Sequence, residues 1–89
     1  MDSELQNSEV KILFFAKARE LTEYTESQIL LPAKISYQAL LETIVLKFGL
    51  QSIRDIIILS INEEYVAADA ILNLADRDEI AVIPPLSGG

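Results

Sequence analysis

The 89-residue chain has no cysteine and no histidine. Those two absences exclude disulfides, thiolate nucleophiles, sulfur carried on a thiol, imidazole general bases and every Cys/His metal site. A nucleophilic triad or dyad of the usual kind cannot be assembled, and no metal centre is expected. Glycine is scarce as well: three residues leave no material for a phosphate-cradling loop. Seven basic residues stand against fourteen acidic ones, a formal net charge of −7. A surface of that sign repels the phosphate backbone, and Lys11, Lys17, Arg19 and Lys34 are too scattered to form a basic patch, so nucleic acid is not an expected partner. No apolar run approaches the roughly 20 residues that span a bilayer. The opening Met1-Asp2-Ser3-Glu4 is acidic where a secretory signal would be basic. The expectation is a cytoplasmic protein with no membrane partner and no tightly bound cofactor.

What is present is a dense apolar complement, 51% of residues, which excludes disorder for the chain as a whole. A chain this short makes one domain and buries only about 60–65% of its unfolded surface, so the core has to be tight. Residues 1–8 are polar and aperiodic and read as a frayed N-terminus, followed by a domain over 9–85 and a flexible tail over 86–89. Val10 to Ala16 reads as a central strand, with Val10, Ile12 and Phe14 on one face and Lys11, Leu13 and Phe15 on the other. Ala18 to Glu26 reads as a charged connector, and Ser27 to Leu31 as a second strand stopped by Pro32. Tyr37, Leu40, Leu41, Ile44, Val45 and Phe48 then form a helical apolar stripe, with Ser36 as N-cap, an Ile35–Leu40 staple and Gly49 as C-cap. Ile56 to Ile61 predicts a strand, Asn62-Glu63-Glu64 a turn into Tyr65-Val66-Ala67, and Asp76-Arg77-Asp78 a tight turn into a last strand, Glu79 to Ile83. One helix on a mixed sheet is an α+β two-layer sandwich. The acids Glu63, Glu64, Asp76 and Asp78 flank turns, where solvated carboxylates are commonplace.

The C-terminal end is the anomaly. Pro84-Pro85 stiffens the chain as it leaves the last strand, and two of the three glycines close the sequence as Gly88-Gly89. The four residues after Pro85 reach at most about 13–14 Å. Without side chains, Gly88 and Gly89 could carry a terminal carboxyl into a narrow pocket of another protein. A frayed end is the plain alternative.

Glu79 to Gly89, with its Pro-Pro-Leu-Ser-Gly-Gly end, resembles the C-terminal signature of the small subunits of molybdopterin synthase. Val10 to Leu21 resembles that family's opening strand and loop, and Asn62 to Val66 its middle hairpin. The resemblance implies the β-grasp fold of ubiquitin-like proteins and a sulfur carrier. Gly89 would be adenylated by a ubiquitin-activating-type adenylyltransferase using ATP, converted to a thiocarboxylate, and inserted with Pro84, Pro85, Leu86, Ser87 and Gly88 into the large subunit. There it would deliver sulfur to cyclic pyranopterin monophosphate to build the dithiolene of molybdopterin, in an assembly of two small and two large subunits. Catalysis itself would belong to the large subunit. Phe15, Tyr65 and Ile83 match apolar docking positions of the family, although each could instead fill the core; Arg19 matches a recurrent residue suited to pairing with a partner's acids. The resemblance places glycine between the two acids where Arg77 stands here. Other ubiquitin-like sulfur carriers (thiazole synthesis, tRNA thiolation), a modifier conjugated to lysines, and a β-grasp binding module are the rival readings.

Overall fold

The computed structural model describes residues 6–85. In chain order the elements are β1 (Asn7–Phe14), α1 (Ala16–Thr22), β2 (Glu26–Pro32), β3 (Lys34–Ser36), α2 (Tyr37–Phe48), a 3₁₀ turn (Gln51–Ile56), β4 (Ile58–Ile61), β5 (Glu64–Tyr65), β6 (Ile71–Asn73) and β7 (Glu79–Ile83). Five strands form one sheet in the order β2-β1-β7-β4-β5, while β3 and β6 make a separate antiparallel pair. The central β1–β7 pair is parallel, opposing Ile12 to Ile80 and Phe14 to Val82; the other pairs of the large sheet are antiparallel.

Strand alternation divides the sheet into two unlike faces. Val10, Ile12 and Phe14 of β1, Ile29 and Leu31 of β2, Leu59 of β4, and Ile80 and Val82 of β7 are buried together with the apolar stripe of α2. That stripe matches the periodicity: Tyr37, Leu40, Leu41, Ile44 and Val45 are buried, and Phe48 packs against them. Both caps form as expected. The Ser36 hydroxyl accepts the Ala39 N–H at 3.1 Å, and Gly49 at φ 72° donates its N–H to the Val45 carbonyl at 2.9 Å. A left-handed residue at that point leaves the α2 axis, and glycine adopts it without a Cβ penalty. Ile12 and Ile44 have no exposed surface; truncating Ile12 to alanine is expected to cost about 2–5 kcal/mol, measured by denaturant unfolding.

Several local expectations need correction, and two short strands come in addition. The frayed segment does not extend to residue 8: β1 begins at Asn7, because the buried Ser8 hydroxyl donates to the Leu74 carbonyl at 2.9 Å. The first strand stops at Phe14 and not at Ala16, and α1 runs from Ala16 into the charged connector, a seven-residue helix whose only buried side chain is Ala18, too slight an apolar stripe to register as periodicity. It closes with Glu23 at φ 65°, whose N–H donates to the Arg19 carbonyl at 2.8 Å. The β-branched run does not form one strand from Ile56. Ile53 anchors a 3₁₀ turn in the core, and Arg54 grips Glu42 of α2 through two bonds of 3.0 and 2.8 Å, so extended pairing starts at Ile58. That hydrogen-bonded carboxylate also raises the Arg54 pKa above its ordinary value. Finally, β3 and β6 are three residues each, held by buried Ile35 and Leu72, and too short for a period of two to show.

The acids of the last turn have structural work to do. Asp76 accepts the Glu9 N–H at 2.9 Å, while Asp78 accepts the Ala75 N–H at 2.8 Å and the Asn62 side-chain amide at 3.0 Å. Asp76 is exposed and Asp78 half-buried, in keeping with the surface reading, and within that setting they tie the turn to β1 and to the β4–β5 hairpin. Between them Arg77 sits at φ 74° and donates its N–H to the Glu9 carbonyl at 2.8 Å. The position requires a left-handed backbone, which penalises any residue with a Cβ. Replacing Arg77 with glycine should stabilise the protein by about 0.5–1 kcal/mol, raising Tm by roughly 2–8 °C in a calorimetric scan.

Candidate functional site

The face of the sheet opposite α2 carries no helix among the described residues, and its composition changes along the strands. At the end where β1 and β7 begin it is polar: Lys11 lies 3.9 Å from both Glu26 and Glu79. Towards the end where β7 finishes it becomes apolar, with Leu13, Phe15, Ile58, Ala81, Ile83 and Tyr65. Phe15 is 43% exposed, Ile58 43% and Tyr65 73%, values far outside the core. Ile83 is half-buried.

The pairing register shapes this face. Ser60 of β4 stands directly opposite both Ala81 of β7 and Tyr65 of β5, and Leu13 of β1 opposes Ala81 from the other side. Two small side chains at the centre, ringed by larger ones, leave a depression. It measures about 240 Å³ and is lined by Leu13, Phe15, Ser60, Tyr65, Ala81 and Ile83, with Glu63 and Glu79 completing the wall. That volume lies below the roughly 300–1,000 Å³ of typical small-molecule pockets and suits a side chain better than a cofactor. The Asn62-Glu63 turn beside it has φ values of 50° and 72°, both left-handed, as a two-residue hairpin turn demands.

The three apolar candidates thus gather on the open face around one hollow, and none fills the core beneath α2. Arg19 lies apart, exposed on α1 and outside the lining of the hollow. Pro84 is buried and Pro85 exposed, and the missing N–H of Pro84 ends the ladder after Ile83. Leu86, Ser87, Gly88 and Gly89 lie outside the described residues. Sequence reasoning did not single out Leu13, Ile58, Ser60, Glu79 or Ala81. The one available signal was alternation, since Leu13 shares its face with Phe15; the depression over Ser60 and Ala81 depends on register between distant strands.

A two-layer α+β sandwich with a parallel β1–β7 centre, one long helix on one face and an open apolar patch on the other defines the ubiquitin-like β-grasp class. SAMP1 from Haloferax volcanii has this fold, superposing with a TM-score of 0.73 at 22% identity over 92% of this chain and 100% of its own. So does one chain in the complex of subunits 1 and 2 of molybdopterin-converting factor from Helicobacter pylori, with a TM-score of 0.65 at 21% identity over 91% of this chain and 99% of the matched one. Residues 12–89 match the model of the ThiS family, and the chain belongs to that family. Its relatives include the molybdopterin synthase sulfur carrier subunits of Drosophila erecta, 49% identical over 90% of both chains, and of Arabidopsis thaliana, 44% identical over 91% of this chain and 83% of the other.

Proposed function

We propose that this chain is a sulfur carrier subunit in molybdopterin synthesis, with the Gly89 carboxyl as the carrying group. The likeness to the Drosophila and Arabidopsis subunits supports this reading over most of both chains. The chemistry follows from the end group. A carboxylate is a poor electrophile, so an activating adenylyltransferase first joins it to the α-phosphate of ATP with release of pyrophosphate. A sulfur nucleophile then displaces AMP from the acyl carbon and leaves a thiocarboxylate. Its sulfur is ionised and nucleophilic at neutral pH, and passes to cyclic pyranopterin monophosphate; two such deliveries supply the two sulfurs of the dithiolene. The absence of cysteine is compatible with a route in which no side chain of this protein holds sulfur.

One observation carries the reading: the apolar end of the open face lies where β7 hands over to Pro84 and Pro85. A large subunit docked on Phe15, Tyr65 and Ile83 sits beside the departure point of residues 86–89. Those residues span at most about 13–14 Å, enough to thread a side-chain-free end into a neighbouring active site. The proposed assembly pairs two small with two large subunits, and the same face serves the adenylyltransferase in turn. The test is a chain lengthened by one residue beyond Gly89, incubated with activating enzyme, ATP, sulfide, large subunit and cyclic pyranopterin monophosphate. No molybdopterin should form until the extra residue is removed; product from the untrimmed chain contradicts the mechanism.

A further inference from the structure

Resting on the docking role proposed above, we propose that the hollow of the open face receives a single arginine side chain from the partner protein. Its walls differ in kind. Leu13, Phe15 and Ile83 offer apolar surface, Tyr65 offers an aromatic ring, and Glu63 and Glu79 offer carboxylates. An arginine combines the matching features in one side chain: an apolar stem, a planar cation that stacks on an aromatic face, and a fork of donors for a carboxylate. A neutral apolar knob would leave the two acids without a use, and an acidic knob would be repelled by them. The volume of about 240 Å³ accommodates one long side chain.

The two acids are not equivalent. Glu79 already lies 3.9 Å from Lys11, whereas Glu63 has no ion pair among the described residues and is held beside the hollow by its left-handed turn. Glu63 is therefore the principal partner of the guanidinium, with Tyr65 as its stacking surface. Arginine and tyrosine are also the residue types that most often dominate interface energetics. The surrounding negative field, on a chain of net charge −7, steers such a partner towards the face.

The experiment measures binding of full-length chain variants to the purified large subunit at about 0.05 M and about 0.5 M salt. Glu63→Gln keeps the shape and removes the charge; it should weaken binding about tenfold at low salt, and Glu63→Lys about a hundredfold, both differences shrinking at high salt. Tyr65→Leu keeps the apolar area and loses the quadrupole; it should weaken binding about threefold. Unfolding midpoints of the three variants establish that each is folded. Unchanged affinity of Glu63→Gln and Glu63→Lys overturns the arginine assignment, as does a loss independent of salt. If Phe15→Ala still weakens binding in that case, the docking face stands and only the arginine falls; if Phe15→Ala also binds normally, the docking role falls with it.

Discussion

Deletion of Gly89 is expected to bring sulfur delivery below detection while leaving the fold and the affinity for the large subunit unchanged. Removing one residue withdraws the terminal carbonyl by about 3.3–3.6 Å, and misplacement of a reacting group by about 1 Å already costs on the order of a hundredfold in rate. The loss is thus several powers of ten, beyond compensation by a neighbouring group, because the sequence holds no cysteine to carry sulfur instead. The folded body should not register the change. The last described strand ends at Ile83, the core lies between α2 and the sheet, and among the described residues its apolar cluster ends at Val82, with Pro84 the last buried residue. The assay is single-turnover formation of molybdopterin from cyclic pyranopterin monophosphate, run alongside a thermal scan and a binding titration. A shortened chain that delivers sulfur at a rate near that of the full chain removes the Gly89 carboxyl from the mechanism.

The second large effect concerns Phe15 and Ile83. Truncating either to alanine should weaken binding of the large subunit by about 2–3 kcal/mol, a factor of roughly 30–150 in Kd, as expected for apolar anchors near the centre of an interface. The same changes should cost the isolated chain about 1 kcal/mol or less, because Phe15 is already 43% exposed and Ile83 half-buried. Ile12→Ala supplies the opposite pattern, a large loss of stability with little direct effect on docking, since Ile12 points into the core. Calorimetry and titration on the same three variants separate the two roles. Should Phe15→Ala melt as Ile12→Ala does while binding normally, the aromatic ring belongs to the fold and not to the interface.

The parts legible in the sequence were those specified by adjacent residues. The stripe from Tyr37 to Phe48 and its two caps repeat within one turn of helix, so local chemistry alone determines them. The alternation of Ile12 and Phe14 against Leu13 and Phe15 likewise gave the two faces of β1, although which face lay open depended on where α2 packs. What escaped was set by tertiary context. The helix α1 buries a single alanine, β3 and β6 have three residues each, and Ile56 lost its place in a strand to a turn anchored by Ile53. Arg77 is the converse case: the backbone demands a left-handed residue there, and the departure from glycine was visible before the angle was known. The hollow is the least local feature. It exists because Ser60, Ala81 and Leu13, from three strands, fall into register beneath Phe15, Tyr65 and Ile83.

One measurement bears most directly on the claim that the Gly89 carboxyl is the working group: the intact mass of the chain, with mass mapping of its C-terminal peptide, after incubation with activating enzyme, ATP and a sulfide source. The account predicts a species in which one oxygen has been exchanged for sulfur, localised to Gly89 and lost again once large subunit and cyclic pyranopterin monophosphate are added. Sulfur found on any other residue, or a Gly89 carboxyl that stays unmodified while molybdopterin is formed, contradicts it.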